Sequence, residues 1–325
     1  MMNLGFRIRA ALLPCLLVTT LSWTGTASGK TDVAETLREA QEQISFFNWE
    51  RAGKLYRSVM TTAPEGSPEW QEAAYGTAVA GQHVSPADPE KIAEAARLYR
   101  ALSQPELNSR FAARSLMNLG RIAELRDYYG DKVDLAAARQ HYKAAAERFP
   151  NDEIAAEATL RLAAAFVQSY TTDDVKAGIE VLERYLAAHP DGPLASGMWQ
   201  YLGNTYFYPV ADYPKSLAAY VNADRLGWID DTDIGRVWWR IAILAERVND
   251  VPTAVRFYTR ITTEAAVSGK AYESQVALKR LGAPVPEIRI GAAAPATQPT
   301  TVPVTPPAAT TRPETPIPNL EGNNG

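Results

Sequence analysis

Histidines and clustered acids are the residues of this sequence whose chemistry could support catalysis or metal binding. The three histidines, His83, His141 and His189, stand far apart, and none has a second histidine or an acidic partner at metal-ligand spacing. The sequence contains no glycine-rich phosphate loop after a strand, no nucleophile elbow and no HExxH motif. We interpret the histidines as surface or packing residues, and we predict no metal site and no cofactor.

Two acidic clusters have simple structural interpretations. Residues 230–233 could suggest a calcium loop, but the twelfth position of such a loop lacks the glutamate that an EF-hand requires. An N-cap before Ile234 fits these residues better. Asp173 and Asp174 lie in a predicted loop between helices, where they would cap a helix or face solvent. The sequence therefore predicts a protein that is not an enzyme, and leaves open only an acid–base pair that folding itself would assemble.

Composition and charge are those of an ordinary folded protein. Of 325 residues, 46% are hydrophobic and 22% are charged, so most of the chain should pack into a core. There are 33 Lys and Arg residues against 37 Asp and Glu residues, a net charge of -4. Such a balance provides no overall positive field, and we predict no nucleic-acid partner.

The N-terminus has the order of a secretory signal peptide. Arg7 and Arg9 precede an apolar run from residue 10 to residue 23, and small residues follow. The run is short for a membrane span and contains Pro14, so we predict a signal peptide over residues 1–29, with an uncleaved anchor as the alternative. Cys15, the only cysteine, lies inside the run rather than at its end, which argues against lipidation. We expect an exported protein, periplasmic or at the cell surface, without an integral span after cleavage.

The elements that follow show helical periodicity and an internal repeat. One stretch places Trp199, Leu202, Gly203 and Tyr206 at the spacing W-x2-L-G-x2-Y, and the next begins similarly at Trp238. This pattern resembles the tetratricopeptide-repeat (TPR) family, whose unit is a pair of helices of about 34 residues. The resemblance implies an all-α, TPR-type superhelix, or α-solenoid, of about six helix-turn-helix repeats. It also places a set of aromatic residues in the core: Trp199, Tyr206, Tyr220, Trp238 and Tyr258.

The repeat pattern divides the chain into three parts. A TPR superhelical domain is expected over residues 30–282, between the signal peptide and a Pro/Thr/Ala-rich tail over residues 283–325 that we predict to be disordered. Within the domain, the approximate repeats are 32–66, 67–108, 109–150, 151–190, 195–229 and 232–267, followed by a capping helix over 268–282.

A binding role follows from the resemblance. In this family the first helices of successive repeats line a concave groove, which implies a candidate peptide-binding groove formed by Gln200, Asn204, Phe207, Tyr208, Arg236, Trp239 and Arg247. Aromatic rings and Arg or amide groups suit peptide recognition. The alternative is that Phe207, Tyr208 and Trp239 complete the helix packing.

The kind of partner is suggested by the same resemblance. The exported repeats are similar to those of bacterial envelope adaptors such as the Tol-Pal coordinator and the assembly lipoproteins of outer-membrane barrels. We therefore expect a scaffold or adaptor that binds an envelope protein or peptide. The alternatives are a spacer or cell-wall-associated protein that acts through its Pro-rich tail, and an enzyme with a site hidden among the helices.

Overall fold

The structure is a computed structural model that describes residues 27–228 and 233–288, and every regular element in these residues is helical. The predicted all-α class is thus confirmed. The helices are Ala27–Ser45 (α1), Trp49–Thr62 (α2), Pro68–His83 (α3), Pro89–Leu102 (α4), Ala112–Glu124 (α5), Leu135–Arg148 (α6), Ile154–Val167 (α7), Thr172–Ala188 (α8), Ala195–Thr205 (α9), Tyr213–Leu226 (α10), Ile234–Arg247 (α11), Val251–Glu264 (α12) and Ala271–Arg280 (α13). Short 3₁₀ and π-helical turns occupy Pro105–Leu107 and Tyr206–Val210.

The helices belong to two compact units, residues 1–227 and residues 228–325. In the first unit each helix from α1 to α10 packs against the next one in sequence, and α1 also contacts α3 as α5 contacts α7. Packing of this kind, in which helix pairs stack on their neighbours, is that of a TPR-like α-solenoid. The odd-numbered helices are the first helices of the repeats, and the even-numbered helices are the second helices.

In the pairs α5/α6 and α9/α10, close packing depends on a glycine of the first helix and a tyrosine of the second. A methyl group at Gly120 would lie less than 3.0 Å from three atoms of the Tyr142 ring. Gly203 and Tyr220 repeat this arrangement in the pair α9/α10. Both tyrosines are buried, so the repeat motif seen in the sequence is the contact that sets how closely the two helices approach.

Acidic side chains begin several of the helices. Asp134 accepts a hydrogen bond from the backbone N–H of Ala137 at 2.9 Å, and Asp250 accepts one from Thr253 at 3.1 Å. The N-cap predicted before Ile234 is confirmed, because Asp233 accepts from the N–H of Arg236 at 3.3 Å. A carboxylate at this position satisfies one of the free N–H groups at the start of a helix.

The second unit contains α11, α12 and α13, and α12 packs against both α11 and α13. Its core contains Trp238, Ile241, Phe257, Tyr258 and Leu278, all buried. The predicted core positions Tyr206, Tyr220, Trp238 and Tyr258 are buried as expected, whereas Trp199 is half-buried at the side of α9.

Two sequence predictions lie largely outside the described residues. Of the predicted signal peptide, only residues 27–29 are described, and they are the start of α1. Of the predicted tail, only residues 283–288 are described, and they have no regular secondary structure. None of the helices in residues 27–228 and 233–288 combines the length and the hydrophobicity of a membrane span.

Candidate protein-binding surface

The predicted groove residues on α9 are engaged in contacts within the first unit. Gln200 is only 8% exposed, and its amide donates to Ser196 Oγ at 3.3 Å. Asn204 accepts a hydrogen bond from the Tyr220 hydroxyl at 2.7 Å through its side-chain oxygen. The Asn204 amide therefore links α9 to α10, whereas the Gln200 amide bonds within α9, and little of Gln200 is available to a partner.

Phe207 and Tyr208 lie beyond the end of the first helix rather than on it. They belong to the π-helical turn Tyr206–Val210, in which Tyr208 leaves helical geometry and Pro209 follows. Pro209 has no N–H to donate, which favours the end of a helix here. Phe207 is 41% exposed and Tyr208 is 73% exposed, so neither ring completes the core. The Phe207 ring packs edge-on against Tyr213, with 5.5 Å between the ring centres.

Exposed aromatic rings mark the turns between the first and second helices of the first unit. Among the described residues of this unit, every Phe, Tyr or Trp classed as exposed lies in such a turn: Phe46, Phe47, Tyr129, Tyr170, Phe207 and Tyr208. Helices that alternate in direction place these turns at the same end of each pair. Of these residues, only Phe207 and Tyr208 were indicated by the sequence pattern, because the repeat consensus does not contain the other positions.

In the second unit, the exposed side of α11 is basic and partly apolar. Positions 236, 239, 240, 243 and 247 recur at the spacing of one helix face, opposite the face through which α11 joins the core. We call this set the α11 stripe: Arg236, Trp239, Arg240, Ile243 and Arg247. Its three arginines are exposed, and Ile243 is 45% exposed, which is unusual for an isoleucine.

Trp239 connects the α11 stripe to the core. Its ring meets the Tyr258 ring edge-on at 5.3 Å between centres, and the Lys270 ammonium lies 5.1 Å from the indole centre. The ring is half-buried, so one part packs and another part remains accessible. The packing interpretation therefore describes part of this residue, and contact of its accessible part with a partner stays a prediction.

Arg240 and Ile243 were not recognised from the sequence, although they lie within the same stripe as the predicted residues. They could have been recognised as the positions of α11 that lie opposite its buried residues. Because Trp238, Ile241 and Ala245 define the buried face, the positions opposite to them must face outward.

Burial shifts the pKa of several titratable groups in the described part of the first unit. Burial, and then the charge of Arg121, lowers the pKa of His83, whose ring stacks on Trp49 with 4.7 Å between centres. Burial is also the main reason that the pKa of Asp127 is raised. Among the residues that the structure describes, no group of three or more His, Cys, Asp or Glu side chains could hold a metal ion.

No protein-family model and no curated protein matches the chain. Among solved structures, the chain is similar to one from a functional characterisation of PilF from Pseudomonas aeruginosa, with 17% identity, a TM-score of 0.47, and coverage of 76% of this chain and 98% of that chain. It is also similar to BtubC from P. vanneervenii, with 13% identity, a TM-score of 0.34, and coverage of 81% and 96%. The fold assignment rests on the helix packing described above.

Proposed function

We propose that this protein is a non-enzymatic scaffold of the bacterial cell envelope, and that it binds an acidic protein segment or peptide on the first helices of its repeats. The observation that carries the proposal is the α11 stripe. There, exposed Arg side chains alternate with Trp239 and Ile243 on one face of a first helix.

The chemistry of the stripe selects the kind of partner. Guanidinium groups present forked donors that match carboxylates, and an indole ring provides rigid apolar area at little entropic cost. A surface ion pair contributes only about 0.2–1 kcal/mol, whereas an aromatic anchor in a protein interface can contribute about 2 kcal/mol or more. The partner should therefore carry Asp or Glu residues around an apolar side chain that contacts Trp239 and Ile243.

The α9 part of the predicted groove takes a smaller role in this proposal. Since Gln200 and Asn204 are bound within the helix pair, Phe207 and Tyr208 are the residues of that set that could offer apolar area to a partner. Replacing both by serine should weaken binding if the partner also reaches the first unit. It should change thermal unfolding little, because Tyr208 is largely exposed and Phe207, which meets Tyr213 edge-on, is 41% exposed.

Site-specific photo-crosslinking in intact cells tests where the partner binds. A photoreactive amino acid at Ile243 should crosslink the partner, which mass spectrometry then identifies. The matched control is the same amino acid at Arg256, an exposed position on the second helix α12. Crosslinking at both positions with equal yield would show that the α11 stripe is not the contact surface.

Charge reversal tests the electrostatic part of the proposal. Arg240→Glu together with Arg247→Glu should reduce recovery of the identified partner about tenfold or more, because two attractions of roughly 0.5–1 kcal/mol become repulsions. Arg256→Glu together with Lys54→Glu, two exposed positions on second helices outside the α11 stripe, is the charge-matched control and should change recovery little. Added salt should weaken binding of the unmodified protein in the same direction. Unchanged recovery from the double variant would contradict the proposal.

The envelope location rests on the predicted signal peptide and has its own test. Alkaline phosphatase, which is active only after export, should be active when fused after residue 30 and inactive when residues 1–29 are removed. An inactive fusion with the leader present would contradict export, and would leave the test of the α11 stripe unaffected.

A further inference from the structure

Helix α13, which the sequence predicts as a capping helix, exposes two apolar side chains. Tyr272 is 73% exposed and Val276 is 52% exposed. They stand four residues apart and therefore lie on one face of the helix. A helix that only closes a stack of repeats normally presents a polar outer face. The exposed pair indicates that α13 has a further role.

The residue pattern of α13 repeats that of α11. In both helices four buried residues follow the spacing i, i+3, i+6 and i+7: Trp238, Ile241, Leu244 and Ala245 in α11, and Ala271, Ser274, Ala277 and Leu278 in α13. When the helices are aligned on these positions, Trp239 matches Tyr272 and Ile243 matches Val276. We call Trp239 and Ile243 the α11 pair, and Tyr272 and Val276 the α13 pair. Each helix thus carries one aromatic and one β-branched side chain at the same place, away from its buried residues.

Helices α11 and α13 lie side by side and run in the same direction. Near their starts, the ammonium of Lys270, the residue before α13, lies 5.1 Å from the centre of the Trp239 ring. At their ends, Arg280 donates a hydrogen bond to Glu246 Oε1 at 2.8 Å. Because α12 packs against both helices on their buried sides, both pairs point away from α12. The α11 pair and the α13 pair therefore lie next to each other on one surface.

The acidic residues of both helices already have basic partners. Together α11 and α13 contain five Arg or Lys residues and two Glu residues. Glu246 accepts from Arg280, and Glu273 accepts a hydrogen bond from Lys270 Nζ at 3.1 Å. The remaining charge around the two pairs is positive, so electrostatic complementarity favours an acidic partner.

Across the two helices the order of side chains is basic, apolar, apolar and basic. Glu246 marks the side of α11 that faces α13, and Arg240, about 120° around the helix, lies on the other side of the α11 pair. Arg280 marks the side of α13 that faces α11, and Lys279, about 100° around the helix, lies on the other side of the α13 pair. Arg240 and Lys279 are both exposed. A segment that crosses both helices therefore meets Arg240, the α11 pair, the α13 pair and Lys279 in turn.

The separation of the two pairs selects the conformation of such a segment. Helices that contact each other lie about 8–10 Å apart. In the polyproline II conformation a chain advances about 9 Å in three residues, and side chains three positions apart point to the same side. In an α-helix one turn advances only about 5.4 Å. An extended segment therefore matches the two pairs better than a helical segment does.

We propose that α13 is the second half of the binding surface, and that an extended acidic segment of the partner crosses α11 and α13. Two apolar residues of this segment, three positions apart, contact the α11 pair and the α13 pair. Carboxylates on either side of them contact Arg240 and Lys279. The proposal rests on the proposed function, since the α11 stripe must bind an acidic partner, and it adds the conformation and the residue spacing of the segment that binds.

Fluorescence anisotropy of labelled peptides, titrated with the full-length protein, tests the spacing. The first probe is a short peptide of Asp and Glu with two leucines three positions apart. The second probe has the same composition, but its two leucines are adjacent, so that only one of them can reach a pair. The first peptide should bind about tenfold more tightly, because it alone places an anchor on each helix. Equal binding of the two peptides, or binding of neither, would overturn the proposal.

Variants of the exposed pair test the part of α13 in binding the first peptide. Tyr272→Ser together with Val276→Ser should weaken binding about tenfold, and it should change folding little because both side chains are exposed. The matched control removes the same two side-chain types from an exposed turn of the first unit, through Tyr129→Ser and Val133→Ser, and should bind as the unmodified protein does.

The double variant Arg240→Glu and Arg247→Glu separates this proposal from the proposed function. Weaker binding by this variant and by the α13 variant supports both proposals. Weaker binding by the arginine variant alone would overturn the role of α13 and leave the α11 stripe as the binding site. Weaker binding by the α13 variant alone, or by neither variant, would overturn both proposals.

Crosslinking in intact cells tests the same surface with the natural partner. A photoreactive amino acid at Val276 should crosslink the protein that is crosslinked from Ile243, and the same amino acid at Arg256 should not. Crosslinking of a second copy of this chain from Val276 would show that α13 is a self-association surface, and would overturn the proposal.

Discussion

Gly120→Ala should destabilise the protein, although alanine is the better helix former. Gly120 faces the Tyr142 ring, and an added methyl group would lie less than 3.0 Å from three of its atoms. Real side-chain contacts of this kind are not that short, so the ring or the helix must move. Tyr142 is fully buried, and its hydroxyl donates to Glu124 Oε2 at 2.7 Å, so the ring has little freedom to move away.

The magnitude follows from two opposing contributions. Overpacking in a well-packed core costs about 1–3 kcal/mol, and three such contacts on a held ring place this site near the upper end. Replacing a glycine inside a helix by alanine contributes about 1 kcal/mol in the other direction. The free energy of unfolding should therefore fall by about 2 kcal/mol, which lowers the unfolding temperature by about 4–8 °C for a domain of this size.

Gly53→Ala provides the matched control, since it is the same substitution inside another helix. A methyl group at Gly53 would meet the Ala80 methyl at 3.4 Å, an ordinary contact. Only the helix-propensity contribution remains at this position, so the free energy of unfolding should rise by about 0.5–1 kcal/mol. The two substitutions should therefore change stability in opposite directions.

Thermal unfolding followed by circular dichroism, with urea titration for the free energy, measures both variants. Combining Gly120→Ala with Tyr142→Leu should destabilise less than the sum of the single changes, because leucine vacates the space that the methyl group needs. Equal or greater stability of Gly120→Ala compared with the unmodified protein would refute the reasoning about this contact. Strict additivity in the double variant would refute it as well.

Three further predictions concern polar groups. Arg139 donates to Ala165 O at 3.0 Å and to Asp174 Oδ2 at 2.7 Å. Arg139→Lys should therefore lower the free energy of unfolding in urea by about 1–2 kcal/mol. Arg225→Lys, at an exposed position, should lower it by less than about 0.5 kcal/mol. Asp250→Ala removes the N-cap of α12 and should cost about 1 kcal/mol in the same assay. Burial raises the pKa of Asp127, so its ionisation opposes folding, and Asp127→Asn should stabilise the protein at neutral pH. That gain should vanish as the pH falls below about 4, where the carboxyl is protonated in both states; unfolding temperatures measured across pH check it.

The helical pattern was predictable from the sequence because it is local and repeated. Gly203 and Tyr220 stand at the consensus spacing, and the structure brings them into the contact that this spacing implies. Asp233 could be recognised as an N-cap because capping involves residues only three positions apart. Such features depend on neighbours in sequence, and they predict helix boundaries and the buried face without knowledge of the rest of the fold.

The exposure of individual side chains was decided by the tertiary structure. The consensus placed Gln200 and Tyr208 in one groove, but packing between helices buries Gln200 and the turn after α9 exposes Tyr208. Whether Ile243 or Tyr272 remains exposed depends on which helix covers that face, and no local pattern contains this information. By itself the sequence determined the helices and their inward faces, since these follow from a period of 3.6 residues. The surfaces available to a partner were decided only when the helices packed.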